Sequence, residues 1–145
     1  MRVILERVND AVQFRATNEQ GVSFDIDGSP EIGGMNAGFR PMQLVLAAVA
    51  SCSAMDVVTI LKKQRQRVDD VRIEVTGKRA EGIYPAPFTE IRLDYTVIGE
   101  VDPGKAKKAV ELGVEKYCSV AEMLRPGVKV KHTCTVLPRH DGGAS

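Results

Sequence analysis

The amino-acid sequence predicts an α+β fold with the element order βββ-α-ββ-α-α-β. Several short runs alternate apolar with polar residues, a pattern typical of half-buried strands. One apolar segment, from Pro41 to about Gln66, is far too long for a strand and predicts a central helix. Two later segments begin with residues that favour helix starts. Strands and helices are grouped rather than strictly alternating, which favours the α+β class.

The composition of the chain argues against a nucleic-acid-binding or secreted protein. A chain of 145 residues fits one domain, expected at 1–137 and followed by a polar, glycine-rich tail at 138–145. The net charge of +1 and the few aromatic residues provide no basic surface for nucleic acid. The N-terminus alternates instead of forming the apolar core of a signal peptide, and the three cysteines are an odd number. We therefore expect a reducing, cytoplasmic location.

The first forty residues predict three strands and a loop. The alternating apolar positions begin with Val3 and Leu5, resume at Val12, Phe14 and Ala16, and continue at Val22, Phe24 and Ile26. Residues 29–39 are rich in Gly and Pro and are expected to form a loop.

The central helix dominates the sequence. Pro41 suits a first helical position, because the missing N–H has no partner there. The following residues to Leu61 are apolar nearly all round, which indicates a helix buried on most faces. About 20 apolar residues would also span a membrane, but Asp56 and the many small residues favour a buried helix in a soluble protein, with no membrane partner. One chain has too few elements to cover this helix, so a dimer that packs two copies together is expected.

The second half of the chain predicts a hairpin, two helices and a last strand. Alternating runs around Val71–Val75 and Ile91–Val97 flank a turn at 82–87. Asp102 is a good N-cap before Pro103, and Ser119-x-x-Glu122 matches a capping box. The last strand places Val128, Val130, His132, Cys134 and Val136 on one face.

The three cysteines differ in their predicted surroundings. Cys118 lies just before the helix that starts at Ser119, where free N–H groups favour a thiolate, and it is either a redox cysteine or a small packed residue. Cys52 is in mid-helix and needs a cation or base from elsewhere to react. Cys134 continues an apolar strand face and is interpreted as core. His132 shares that face and is interpreted as a half-buried residue with its own hydrogen-bond partner. A zinc site from these residues lacks the usual ligand spacing, so no metal is predicted.

Two motifs carry a resemblance to a known family. The stretch PMQLVLAAVASCSAMDVV and the later EKYCSVAEML resemble the OsmC/Ohr family of osmotically inducible and organic hydroperoxide resistance proteins, in the branch with CSAxDVV and KYCSVA motifs. The resemblance implies an intertwined homodimer with two central helices and outer antiparallel sheets. It also implies a thiol peroxidase without a cofactor, in which Cys52 attacks a small organic hydroperoxide and Cys118 resolves the sulfenic acid as a disulfide. A dithiol, of lipoyl type in the family, is the implied reductant.

The resemblance also implies an arginine that stabilises the thiolate and a glutamate that holds this arginine. The glutamate position falls on Met42 or Gln43, neither of which is acidic. Gln43 lies roughly 13 Å along the helix from Cys52 and would serve that thiol only from a partner subunit. Arg15 is the first candidate for the arginine and Arg40 the second.

Asp56 lies one helical turn after Cys52 on the same face. It is either a structural carboxylate or the group that orients the activating arginine. The missing acidic residue keeps a second function open, that of a non-catalytic dimeric protein binding an apolar or thiol-reactive small molecule. A structural or metal-binding role of the Cys/His set is a third.

Overall fold

The computed structural model describes residues 1–139, which form two compact units, Met1–Val45 and the part from Leu46 onward. The predicted order is confirmed. The elements are β1 Val3–Arg7, β2 Phe14–Asn18, β3 Ser23–Ile26, α1 Pro41–Lys63, β4 Arg67–Arg79, β5 Phe88–Glu100, α2 Pro103–Leu112, α3 Ser119–Leu124 and β6 Lys129–Leu137. A short 3-10 turn at Pro30–Ile32 and a π-helical turn at Gly113–Tyr117 are additional. Most of the expected tail, residues 140–145, lies outside the described residues.

The first unit is built on the antiparallel sheet β1-β2-β3. Ala16, at its centre, pairs with Leu5 on one side and Phe24 on the other, and it is buried. All five residues of β1 are exposed, and so is Phe24. The strands form as predicted, but much of their apolar surface is left uncovered in the single chain.

The loop after β3 is organised by Asp27, which is buried. Its carboxylate accepts hydrogen bonds from the backbone N–H groups of Gly28, Met35 and Ala37 at 2.8, 2.9 and 3.1 Å. These bonds hold the pKa of Asp27 below its usual value, and the bond from the Met35 N–H has the largest effect. The glycine-rich loop is therefore fixed by one charged side chain.

α1 begins at Pro41 as predicted. Gln43 turns back to the helix start, where its Oε1 accepts a hydrogen bond from the Arg40 backbone N–H at 3.0 Å, as in one half of a capping box. The helix ends at Lys63, three residues before the expected Gln66, because Arg65 adopts a left-handed conformation with φ of 56°.

Only part of α1 is covered in the single chain. Its buried residues are Val49, Ala50, Ser53, Val57 and Leu61. Met55 and Val58 are exposed large apolar side chains. Among the described helices, α1 alone is long and apolar enough to cross a bilayer, a property that core helices of soluble proteins share.

The second unit holds the sheet β4-β5-β6. The predicted inward residues of β5 are confirmed, since Ile91, Leu93, Tyr95 and Val97 are each at most 1% exposed. β4 and β5 are antiparallel, but β6 runs parallel to β5, with Cys134 beside Tyr95. This corrects the expectation of purely antiparallel sheets. The crossover through α2 and α3 returns the chain in the same direction, which a hairpin does not do.

Each of the two short helices, α2 and α3, begins with a capping residue. Asp102 caps α2 as predicted and accepts a hydrogen bond from the Lys105 N–H at 2.9 Å. The expected cap of α3 at Ser119 is wrong. Cys118 is the N-cap, and its Sγ accepts a hydrogen bond from the Ala121 N–H at 3.3 Å, because Ser119 is already the first helical residue.

The π-helical turn brings α2 unusually close to α1. A Cβ atom placed on Gly113 would lie 2.8 Å from Val57 Cγ2 and 3.0 Å from the Ser53 carbonyl oxygen. No larger residue fits here without movement of α1 or of the π-helical turn.

We expect Gly113→Ala to lower the free energy of unfolding by about 1–3 kcal/mol, the usual cost of overpacking a close contact. Gly127→Ala is the matched control, because a Cβ atom there meets nothing within 4 Å. Urea unfolding followed by circular dichroism measures both. Equal stability of the two variants would show that the α1–α2 approach has room for a methyl group.

Candidate thiol site

The structure brings Cys52 and Cys118 together. Cys118 Sγ lies 3.8 Å from the backbone carbonyl oxygen of Val49, about one helical turn before Cys52 on α1. The Cys52 side chain is near enough to raise the pKa of Cys118, and both cysteines are free thiols. Cys52 lies on the middle of α1 and is half-buried, whereas Cys118 is 2% exposed. The start of α3 therefore lies against the middle of α1, as a disulfide between these residues requires.

Cys118 has two backbone partners. Its Sγ donates to the Val49 carbonyl oxygen at 3.8 Å and accepts from the Ala121 N–H. Burial raises the pKa of the Cys118 thiol, the Ala121 N–H opposes this, and the neighbouring Cys52 raises it further. Cys118 is thus a protonated, shielded thiol at neutral pH, and Cys52 is the more accessible sulfur.

Ser53 and Tyr95 form a buried pair next to Cys52 that the sequence analysis did not identify. Their hydroxyl oxygens are 2.6 Å apart, and the residues are 0% and 1% exposed. Ser53 Oγ also lies 3.0 Å from the Val49 carbonyl oxygen and 3.1 Å from that of Ala50. Carbonyl oxygens only accept, so the single Ser53 proton is used there and Tyr95 donates to Ser53.

This pair fixes α1 to β5 at the residue after Cys52. Burial raises the pKa of Tyr95 to about 12, although the bond to Ser53 acts in the opposite direction. Tyr95 therefore remains a donor at every physiological pH. The negative charge of Cys118, Asp56 and Cys52 in their ionised forms acts in the same direction as burial and also raises the pKa of Tyr95.

Arg125 holds the segment that carries Cys118. Its Nη2 donates to the Val114 carbonyl oxygen at 2.5 Å, and its Nη1 pairs with Glu122. Arg125 thereby links the end of α3 to the π-helical turn, so the segments before and after Cys118 are held to one another. The sequence marks Arg125 only as a residue near a helix end.

Cys134 was expected in the core but is only half-buried, and His132 is half-buried as expected. His132 Nε2 lies 3.2 Å from Glu115 Oε1, which gives the imidazole a partner. Burial raises the pKa of the Cys134 thiol. Within residues 1–139, no three His, Cys, Asp or Glu side chains are grouped so as to hold a metal ion.

The remaining predicted residues are divided between the two units. Arg15 lies on β2 and makes two hydrogen bonds to Asp25 on β3, at 2.8 and 3.2 Å. Arg40 Nη2 donates to Asn36 Oδ1 at 2.9 Å, and Gln43 caps α1. Asp56 belongs to the second unit, where it is half-buried in the wall of a cleft of about 490 Å³.

The chain is similar to proteins of one known family. A family model described as OsmC-like protein matches residues 34–133. Protein YhfA of Escherichia coli (strain K12) is 44% identical over 98 residues, which is 67% of this chain and 72% of that protein. These matches confirm the family resemblance predicted from the two motifs.

Solved structures agree on the fold. A hypothetical protein from Aquifex aeolicus VF5 is 35% identical, with a TM-score of 0.82 over 96% of this chain and 97% of its own. The organic hydroperoxide resistance protein OhrB of Bacillus subtilis is 24% identical, with a TM-score of 0.64 over 93% of this chain and 98% of its own. At that identity the second likeness shows the fold alone, and it confirms the predicted α+β architecture.

A double-mutant cycle tests the Ser53–Tyr95 pair. Tyr95→Phe and Ser53→Ala each remove one partner of a buried hydrogen bond, so each should lower the free energy of unfolding by about 1–3 kcal/mol. The double variant should lose less than the sum, by at least about 0.5 kcal/mol. Tyr117→Phe, at an exposed residue, serves as the control. Strict additivity in urea unfolding would show that the two hydroxyls are not energetically coupled.

Proposed function

We propose that this chain, which belongs to the OsmC-like protein family, is a thiol-dependent peroxidase that reduces organic hydroperoxides. The position of Cys118 Sγ, 3.8 Å from the Val49 carbonyl oxygen and thus about one turn before Cys52 on α1, carries the proposal. A sulfenic acid that forms in a protein must meet a second thiol before it over-oxidises, and this pair meets that requirement. The half-buried Cys52 is the attacking residue, and the buried Cys118 resolves.

The reaction divides into three steps. The Cys52 thiolate attacks one oxygen of the hydroperoxide, the O–O bond breaks, and the alkoxide leaves as an alcohol after taking a proton. Cys118 then attacks the sulfur of the sulfenic acid, and water leaves as the disulfide forms. A dithiol, of lipoyl type or similar, donates two electrons and returns both residues to thiols.

A cation is needed to favour the Cys52 thiolate, and Arg15 is our first candidate. Two hydrogen bonds to Asp25 orient its guanidinium, so Asp25 supplies the carboxylate that Met42 and Gln43 lack. Arg40, with one bond to a neutral amide, is the second candidate. In this scheme Asp56 serves as a positioning residue close to Cys52.

We further propose a cytoplasmic homodimer. Met55 and Val58 on α1 present apolar side chains that the single chain leaves exposed, and so do Val3, Ile4 and Leu5 on β1. Burying such surface against a second copy is favourable. A reducing compartment keeps the three free cysteines as thiols.

A second candidate function is the binding of an apolar or thiol-reactive small molecule without turnover. It is favoured by the use of Gln43 as a helix cap and by the absence of an acidic residue at Met42 or Gln43. Peroxide consumption with dithiothreitol as reductant separates the two candidates, because only the peroxidase turns over.

We expect cumene hydroperoxide to produce an intramolecular Cys52–Cys118 disulfide in the wild type. Cys118→Ser should react once and then over-oxidise at Cys52 to sulfinic acid, whereas Cys52→Ser should not react. Peptide mass mapping distinguishes these products. Cys134→Ser is the control and should behave as the wild type. If both thiols stay reduced in the folded protein under excess peroxide, the peroxidase proposal fails.

Replacing the activating arginine should slow the first step. We expect Arg15→Met to reduce the rate of Cys52 oxidation by roughly tenfold or more, since a cation beside a thiolate shifts its pKa by about one unit or more. Arg40→Met should leave the rate near that of the wild type. Stopped-flow oxidation with a single peroxide turnover measures both rates, and the reverse result would exchange the roles of the two arginines.

A further inference from the structure

Arg125 joins the two chain segments that flank Cys118. It is the C-cap residue of α3, and its guanidinium extends to the π-helical turn that precedes this helix. Nη2 donates to the Val114 carbonyl oxygen at 2.5 Å, while Nη1 pairs with the Glu122 carboxylate. Cys118 lies between Val114 and Arg125 in the chain. The segment that carries this thiol is therefore closed by a side chain as well as by its backbone.

The two ends of this segment differ in how firmly they are packed. In the π-helical turn, Val114 is 1% exposed, and a Cβ atom on Gly113 would lie 3.0 Å from the Ser53 carbonyl oxygen of α1. On the other side, α3 has only six residues and buries one of them, Ala121. A helix of this length is not stable by itself. The bond from Arg125 to Val114 thus links a weak helix to a turn that is packed against α1.

The proposed reaction removes the cap of this weak helix. In the reduced protein, Cys118 Sγ accepts a hydrogen bond from the Ala121 N–H at 3.3 Å and so caps α3. A bond between this sulfur and Cys52 competes with the cap. Loss of an N-cap destabilises a helix, so α3 needs another contact to keep its place during the reaction. The bond from Arg125 to Val114 does not involve the sulfur and is retained when the cap is lost.

We propose that Arg125 is a positioning residue for the resolving step. It keeps Cys118 against the middle of α1 while the sulfur exchanges the Ala121 N–H for Cys52. Because its guanidinium bonds to Val114 and Glu122, it acts on the position of Cys118 and not on the reactivity of Cys52. This inference rests on the proposed peroxidase function and concerns its second step, whereas the activating arginine concerns the first.

A sulfenic acid at Cys52 has two competing fates. In the resolving step, Cys118 Sγ attacks Cys52 Sγ, the S–O bond breaks, and hydroxide leaves as water with the Cys118 proton. In over-oxidation, a second hydroperoxide transfers one oxygen to Cys52 Sγ, which becomes a sulfinic acid, and the hydroperoxide is reduced to an alcohol. The ratio of sulfinic acid to disulfide rises linearly with peroxide concentration. Its slope is the rate constant of over-oxidation divided by that of resolution.

The test measures this slope in the reduced full-length protein. Excess cumene hydroperoxide is added at several concentrations without a reductant, and peptide mass mapping determines both products. Arg125→Met keeps the apolar stem and removes the donors, and it should raise the slope by about threefold to tenfold, because misplacing a reacting group slows its reaction. The rate of the first oxidation of Cys52 should equal that of the wild type. Arg125→Lys keeps the charge but not the two-armed guanidinium, so its slope should be intermediate.

Two controls isolate the resolving step. Arg92→Met is the matched arginine variant, because Arg92 also pairs with a carboxylate, that of Asp94, but lies on β5. It should leave the slope unchanged. Cys118→Ser has no resolving thiol, so adding Arg125→Met to it should leave the rate of sulfinic acid formation unchanged. A general loss of stability does not produce this combination of results.

The outcomes separate the two proposals. If the wild type forms no disulfide, the peroxidase function fails and this inference fails with it. If the wild type forms the disulfide but folded Arg125→Met keeps the wild-type slope, only the role of Arg125 is overturned. An equal rise in Arg92→Met, or an equal slowing of the first oxidation, also overturns that role. If circular dichroism shows that Arg125→Met does not fold, Arg125→Lys decides: a raised slope supports the role and an unchanged slope overturns it.

Discussion

The position of Ser53 on α1 is the constraint on which the thiol site depends. Its hydroxyl oxygen accepts a hydrogen bond from Tyr95 on β5, and its own O–H donates to carbonyl oxygens one turn earlier on α1. The backbone carbonyl of Ser53 lies against Gly113. Helix, sheet and π-helical turn therefore meet at one small residue. Because Cys52 is the preceding residue on the same helix, this junction also fixes the position of the Cys52 thiol.

The π-helical turn gives Cys118 its place. A regular helix from Pro103 would continue the α2 ladder, whereas the wider turn at Gly113–Tyr117 ends the helix and leaves Cys118 in an extended conformation. Such turns often occur at functional sites. In this protein the turn places Cys118 Sγ against the middle of α1, and the same sulfur caps α3. The thiol thus has a structural bond that a disulfide with Cys52 would compete with.

Family membership and function rest on different features of this chain. Family membership and fold follow from the match over residues 34–133 and from YhfA. What the site does follows from its own chemistry, since one fold can carry several activities. At Met42 and Gln43, where the resemblance implied an acidic residue, this chain has none, and the carboxylate that pairs with Arg15 is that of Asp25 on β3.

The sequence by itself determined the order of elements, the inward face of β5, the Asp102 cap and the two cysteines of the family motifs. These features depend on local patterns: period-2 alternation, a capping residue and short motifs. Only the tertiary structure decided that β6 runs parallel, that Cys118 rather than Ser119 caps α3, and that Ser53 and Tyr95 are partners. These depend on contacts between residues far apart in the chain, and a buried hydroxyl pair leaves no periodic signal in the sequence.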